Sequence, residues 1–438
     1  MKIKGFLLVV MLMFASILVI ACSSDSSDGD TTEKDTENES NENVTENESE
    51  KDPVELVMYS WRPEDREMYE EAIAAFNEQY PHINVVFQPY KSTEYNTILT
   101  NALVSGEGPD IIQLRPYSGA ETIADNGYIM PLDDLPGIEN INEQYLDAAR
   151  GTDGKVYGVP LSLNSGVIWY NTKLFEENGI DIPTTWEEFL AACEELKQND
   201  IIPIAQSGRA AYVLSLLHGV VAPTAYDGNE FVTDVLENGA TLEDSRFVES
   251  VERMQELVPY FPENFIALED NDAKTLFFTE QAAMYINGDY RLATFEETAP
   301  DLPIGVIPGL AAEKGEDPVV MTWVDGSYAA VQNTDHPEEA KLFMEFLASQ
   351  EFGKIFSDGV NRLSAINGVE AEHPIVKQIA AASDKSATPY LMLVHFGEGE
   401  PTTKTVFENA LQGMFLGEIS IEDVIKQAQE NADRAAAE

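Results

Sequence analysis

The sequence predicts an α/β protein built as two lobes. Three observations carry that prediction. The stretch after residue 52 runs to residue 438, longer than a single hydrophobic core usually serves, so it divides into two lobes or domains. Within it, short apolar runs of strand type alternate with helical patterns, which implies parallel strands joined by right-handed crossovers. No 20–50-residue repeat and no second membrane-length apolar run interrupts the pattern.

The chain opens with Lys2 and Lys4, followed by an apolar run over residues 6–21 and then Val19-Ile20-Ala21-Cys22. A short basic head, an apolar core below membrane-spanning length and small residues before a cysteine read as a secretory signal with a lipobox. The alternative is an uncleaved membrane anchor. Residues 1–22 are therefore expected to be a lipoprotein signal, with lipid on Cys22 anchoring the chain extracytoplasmically to the outer face of the cell membrane. Residues 23–52 hold twelve acids, two lysines and a single aliphatic residue, Val44. They bury too little apolar surface to offset ordering entropy and read as a disordered acidic spacer, extended by its like charges.

The first strand is expected over 54–59, between Pro53 and Ser60. Pro63 followed by Glu64 and Asp65 is a helix start. The helix carries Tyr69, Ala72, Ile73, Phe76 and Tyr80 on one face, and Pro81 stops it. A second strand follows over 83–87, a helix over 93–105, and a third strand up to Leu114. Thr185 before Trp186-Glu187-Glu188 reads as a capping box, the hydroxyl and Glu188 serving free amides reciprocally. Pro337 opens a helix with Ala340, Phe343, Met344 and Leu347 on one stripe, and a last helix is expected over 421–437.

Charge excludes some functions. The formal charge is −52, of which residues 1–22 contribute +2 and residues 23–52 contribute −10, leaving −44 on the remainder. That excess argues against nucleic acid, whose phosphates require Lys and Arg. It also disfavours anionic substrates in general, unless a local basic pocket overrides the mean. The acids are spread along the chain, as on a solvated surface suited to a saline or alkaline exterior. Cation capture is the competing reading. With Cys22 assigned to lipid, Cys193 lacks a disulfide partner and falls on the apolar face of a helical pattern, the place of a small core residue.

In open α/β sheets ligands bind beyond the carboxyl ends of strands. That rule selects Trp61-Arg62, Arg115-Pro116-Tyr117 and Asn164-Ser165. These loops combine aromatic rings with bidentate polar groups. Sugars need that mixture, because their C–H faces stack on rings while their hydroxyls both donate and accept.

Longer phrases then carry a resemblance. Met58-Tyr59-Ser60-Trp61, Ala74-Ala75-Phe76-Asn77-Glu78 and Gly108-Pro109-Asp110-Ile111 come first. Tyr157-Gly158-Val159-Pro160, Ile168-Trp169-Tyr170-Asn171-Thr172-Lys173-Leu174-Phe175 and Pro183-Thr184-Thr185-Trp186-Glu187-Glu188-Phe189 follow. Ala282-Ala283-Met284-Tyr285-Ile286-Asn287-Gly288 and a helix with Glu338, Glu339 and Ala340 close the series. In this order, from about residue 54 to the C-terminus, they resemble the extracellular solute-binding lipoproteins of carbohydrate ABC importers, the maltose-binding-protein-like family.

The resemblance implies a periplasmic-binding-protein-like clamp, each lobe a mostly parallel sheet flanked by helices. It places the first lobe at 53–162 plus 326–371 and the second at 163–325 plus 372–438, with hinge strands at 157–164 and 321–325. It further implies a monomer that closes on a sugar and then docks on membrane permease subunits. Ligand-binding positions implied by the match are Trp61, Arg62, Arg115, Tyr117, Asn164, Tyr212, Asp289, Tyr290, Trp323 and Asp325. Each has a plainer reading: Trp61 as core, and Arg62 as the partner of Glu64 or Asp65. Tyr290 stands where the family usually has a stacking tryptophan, and Trp323 and Asp325 where many relatives have small residues. Trp169 and Trp186 read as framework.

No catalytic residue, cofactor or metal is expected: G-x-S-x-G, H-E-x-x-H and the P-loop are all missing. Two alternatives remain. One is a binding protein for a cation such as a polyamine or ferric ion, which the arginines of the cleft oppose. The other is a cell-surface glycoside hydrolase, which needs only two suitably spaced carboxylates.

Overall fold

The computed structural model describes residues 52–397 and 399–437. The expected signal, Cys22 and the acidic spacer lie outside them. Eleven strands form two sheets: β1 (Val54–Ser60), β2 (Ile83–Pro89), β3 (Ile111–Leu114), β4 (Val159–Pro160), β5 (Leu163–Asn171), β6 (Ile202–Ile204), β7 (Ala282–Gly288), β8 (Ile304–Ile307), β9 (Val320–Val324), β10 (Ser327–Ala330) and β11 (Ala387–Pro389). The first sheet has the order β2-β1-β3-β10-β4. The second has β11-β9-β5-β7-β6, with β8 also paired to β5.

The expected two-lobed α/β clamp is present, and its sheets are mixed. β1 runs parallel to β2 and β3, but β10 joins β3 antiparallel and β4 joins β10 antiparallel. In the second sheet β5 is antiparallel to β7, β8 and β9, while only the β6–β7 and β9–β11 pairs are parallel. The reason is topological. Strands joined by a crossover within one lobe run parallel. The crossing strands β5 and β10 instead enter their sheets from the other lobe, and they enter head to tail.

Chemistry explains the elements. Pro63 begins a single 3-10 turn, Pro63–Asp65, before helix α1 (Arg66–Gln79), whose Met68, Tyr69, Ala72 and Phe76 are buried. Helix α2 (Ser92–Ser105) ends at Gly106, which adopts φ +71°. That left-handed closing position favours glycine because no Cβ is present to clash. The Thr185 hydroxyl accepts from Glu188 N, as expected of a cap. The return bond departs from the expected box: the Glu188 carboxylate accepts from Thr184 N and Thr184 Oγ1 and pairs with Lys314. The last helix is Ile421–Ala435, started by a true box between Ser420 and Asp423.

One core underlies the first sheet, built from Met58, Tyr69, Phe76, Ile112, Tyr328 and Phe343 among others. The second sheet is covered on both faces. Ile168, Met284 and Ile286 pack with Phe189 and Leu217, while Val167, Trp169 and Tyr285 pack with Phe277 and Phe295. Consecutive residues of β5 and β7 thus serve opposite cores, as the two-residue strand period requires. Trp169 and Trp186 are buried framework residues, and Cys193 is a fully buried thiol pushed up by desolvation.

Chain passes between the sheets at β4–β5 and β9–β10. The two connections bond to each other: Leu161 N donates to Gly326 O and Asp325 N to Ser162 O. A third passage lies beyond helix Gln350–Val360, where Leu163 N donates to Leu363 O.

Candidate functional site

The site is built on the loops that leave β1, β3, β7 and β9. Beneath it, Gln113 of β3 holds the first of these loops. Its Oε1 accepts from Ser60 Oγ at 2.8 Å and from Trp61 N at 3.3 Å, and its Nε2 donates to Tyr69 OH at 2.8 Å. Gln113 and Tyr69 are fully buried, so the loop rests on a satisfied internal network.

Arg62 projects from this loop and is 5% exposed. Its Nη2 donates to Asp65 Oδ1 at 3.0 Å and its Nη1 to Asp325 Oδ2 at 3.0 Å, with Nε also on Asp65. Arg362, from the third passage, donates to the same Asp325 Oδ2 at 3.0 Å. Two buried guanidinium groups therefore share one carboxylate at the crossing. Burial, together with the nearby Arg62 charge, holds the Arg362 guanidinium below its ordinary value. Arg115 lies over the Trp61 ring, 4.2 Å from its centroid, and donates to Ser92 Oγ at 2.8 Å and Ser92 O at 3.2 Å.

The other wall comes from β7. Tyr290 OH donates to Asn287 Oδ1 at 2.9 Å, and the ring faces Arg291 and Arg362 at 5.2 and 5.9 Å. A Cβ on Gly288 would fall 2.0 Å from the Tyr290 ring, so only glycine lets the ring fold back there. Asp289 is buried, and its Oδ1 has no partner. Desolvation pushes its carboxyl up to about 7 against the pull of the Ser165 backbone bond and Arg362.

Two cavities of about 500 and 520 Å³ open between the lobes. The first is lined by Trp61, Arg62, Glu64, Lys91, Ser92, Tyr290, Asp325 and Arg362, together with Pro63 and Thr93. The second is lined by Tyr117, Tyr145 and Arg150 from one lobe and Asn229, Trp323 and His395 from the other, with others between. Each is large enough for a small ligand.

A family model described as bacterial extracellular solute-binding protein matches residues 60–354. This chain belongs to that family. Among relatives of this solute-binding protein, the multiple sugar-binding protein of Streptococcus mutans is 24% identical over 74% of the chain and 78% of the relative. The melibiose/raffinose/stachyose-binding protein MelE of Bacillus subtilis is 20% identical over 88% of each. The apo form of RafE from Streptococcus pneumoniae superposes with a TM-score of 0.74 at 19% identity, over 88% of this chain and 98% of that one. RafE in complex with raffinose gives 0.70 at 19%, over 87% and 99%.

In this solute-binding protein, Trp61, Arg62, Tyr290 and Asp325 line the first cavity together. Arg115 does not line it but stacks on Trp61 and donates to Ser92, both of which do. Trp61 is itself 5% exposed, edge-on to Tyr95, with Arg115 over one face. Tyr117 and Trp323 line the second cavity instead. Tyr117 holds φ +56° and ψ −124°, an unusual backbone for a non-glycine residue. Its hydroxyl accepts from Val324 N at 3.2 Å and is pushed up to about 12 by burial. Asn164 is buried in β5 with Oδ1 unpartnered, beside Ser162 Oγ and Ser165 Oγ in the same condition. Tyr212, at the start of a helix, is 42% exposed and lines neither cavity, but it lies beside Arg291, which faces the Tyr290 ring.

Sequence reasoning missed Arg362, Lys91 and His395. Arg362 sits on a passage whose motif content is slight. Lys91 precedes α2 and was open to recognition as the residue at the mouth of a helix aimed from the carboxyl end of β2.

Proposed function

We propose that the protein is a lipid-anchored extracytoplasmic receptor that captures a sugar or oligosaccharide between its lobes and delivers it to the permease of an ABC importer. The observation that carries this is the first cavity, where Arg62, Asp325, Arg362 and Tyr290 converge from both lobes and the crossing strands. A ligand seated there touches both lobes at once. Its contacts are complete only when the lobes close, so binding shifts the population toward the closed form. The names of the relatives support sugar as the ligand. The lipid anchor on Cys22 rests on the lipobox alone. Among the described residues no helix is long and apolar enough to cross a membrane.

The lobe boundaries 53–162 plus 326–371 and 163–325 plus 372–438 belong to this reading. They agree with the division of strands between the two sheets. A cationic ligand fits poorly, because Arg62, Arg362 and Lys91 line the cavity. Among the described residues no group of three or more His, Cys, Asp or Glu side chains is placed to hold a metal ion. Binding without turnover is the expected activity.

The test is a thermal-shift panel of mono- and oligosaccharides, polyamines and ferric citrate, with released reducing sugar measured in parallel. Stabilisation by one saccharide series without sugar release is the expected result. A ligand at 100 times its dissociation constant adds about 2.7 kcal/mol. Shifts with cations alone, or turnover of any oligosaccharide, would overturn the reading.

A further inference from the structure

The first cavity is basic, although the chain as a whole carries −52. Arg62, Lys91 and Arg362 line it, and Arg115 lies on its Trp61. Three cations thus line it against two carboxylates, Glu64 and Asp325, while Arg115 lies outside the lining at the Trp61 ring, Asp65 holds Arg62, and buried Asp289 acts on Arg362. Those carboxylates are already committed to Arg62 and Arg362. Arg115 is different: among the described residues its hydrogen bonds go to Ser92 and Asn96, neutral acceptors. Lys91 likewise shows no ion pair among them.

The backbone adds to this field. Helix α2 is 14 residues long and begins at the cavity wall, with Lys91 in the capping position and no side chain capping it. Lys91 O accepts from Glu94 N at 2.9 Å and Tyr95 N at 3.0 Å, and Glu94 stands in the same turn, so the end that faces the cavity is the backbone of Ser92 and Thr93 with the positive end of the helix dipole. Arg115 stacks on Trp61 and bonds Ser92 and Asn96, yet no carboxylate is hydrogen-bonded to its half-buried charge, whose desolvation is costly. An anionic substituent would supply the missing counter-charge, and Arg presents the planar fork suited to a carboxylate.

We propose, building on the sugar-receptor reading, that the ligand is an acidic saccharide whose carboxylate or sulfate group docks between Arg115, Lys91 and the first turn of α2. The neutral hydroxyls of the same ligand then face Arg62, Asp325 and Tyr290. The −52 chain repels such a ligand at a distance, so the local cluster must act within about one Debye length, roughly 8 Å at physiological salt.

Calorimetric titration of the purified protein separates the cases. The ligands are uronic-acid oligosaccharides, sulfated oligosaccharides of similar length, and the carboxyl-reduced, neutral counterparts of the uronic series. At least one acidic series is expected to bind about tenfold or more tightly than the neutral one, the scale of one charge-assisted hydrogen bond. Which acidic series binds identifies the substituent. Arg115→Gln, with its fold checked by circular dichroism, should erase that preference, and Arg115→Lys should restore part of it. Equal binding of neutral and acidic sugars, or a preference that survives Arg115→Gln, overturns the acidic assignment and leaves the sugar-receptor reading standing. Absence of binding by every saccharide, with a shift by polyamine or ferric citrate, overturns both.

Discussion

Arg62 and Asp325 stand 263 positions apart in the chain and meet at 3.0 Å. The first belongs to the loop after β1, the second to the crossing between β9 and β10. The bond therefore ties the loop after β1 to a segment that crosses between the sheets. Asp325 also serves Arg362, so its removal exposes two buried guanidiniums to each other. Asp325→Asn is expected to cost about 3 kcal/mol, the range for breaking a buried ion pair from one side. Urea unfolding measures it. A loss below about 1 kcal/mol would show the pair to be solvent-screened, as exposed pairs are.

Asp289 sets a pH dependence. Its folded value, raised by burial to about 7, lies above the unfolded carboxylate range. The folded state then holds a proton that the unfolded state has released, so stability falls as pH rises between those two values. Integrated from about pH 4 to about pH 7, the loss is up to about 4 kcal/mol. Asp289→Asn should leave stability nearly flat over that window and exceed the parent at pH 8. Thermal midpoints at pH 5 and pH 8 test this. Equal slopes for the two proteins would remove Asp289 from the account.

Gly288→Ala should act on the ligand as well as on the fold. The new methyl meets the Tyr290 ring at 2.0 Å, so the ring must shift toward the cavity. Affinity is expected to drop about tenfold or more, and because Gly288 is buried in β7 the overpacking should also cost about 1–3 kcal/mol of stability. An unchanged dissociation constant would show that Tyr290 does not contribute to the wall.

Gln113→Ala should couple core to site. It takes one partner each from Ser60 Oγ, Trp61 N and Tyr69 OH, all deeply buried, although Tyr69 keeps its bond to Tyr328 OH and Ser60 Oγ still accepts from Arg62 N. One or two orphaned polar groups cost about 1–3 kcal/mol each. Affinity should weaken too, because the Trp61-Arg62 loop loses its support. A variant with normal affinity and reduced stability would confine Gln113 to the core.

Trp323 offers an optical readout. It is half-buried, edge-on to Tyr390, and lines the second cavity between the lobes. Closure on ligand should withdraw it from water and shift its emission to the blue. Trp323→Phe should remove its share of that change, leaving the part that Trp61 in the first cavity supplies, while buried Trp169 and Trp186 stay silent. A shift of undiminished size in the variant would locate the motion away from Trp323.

Local chemistry made much of this legible. The Pro63 start, the Thr185 cap, the stripe of Ala340, Phe343, Met344 and Leu347, and the buried Cys193 all follow from spacing and residue type. What the sequence hid is non-local. Nothing near Arg362 announces a partner at Asp325, because the third passage brings them together only in the folded chain. The antiparallel pairings of β5 depend on the direction from which the strand arrives, and a strand's residues do not encode that direction. Trp61 reads equally well as platform or core. It is both, a cavity wall with Arg115 covering one face.

The mutual bonds of the two crossing segments have a mechanical meaning. Leu161 is tied to Gly326 and Ser162 to Asp325, so neither segment can flex without the other. Such a ribbon bends readily across its flat face and resists twisting and sliding. Under the proposed receptor function, opening would then be the easiest motion between the lobes, and a permease that touches both lobes would sense that opening rather than the cargo itself.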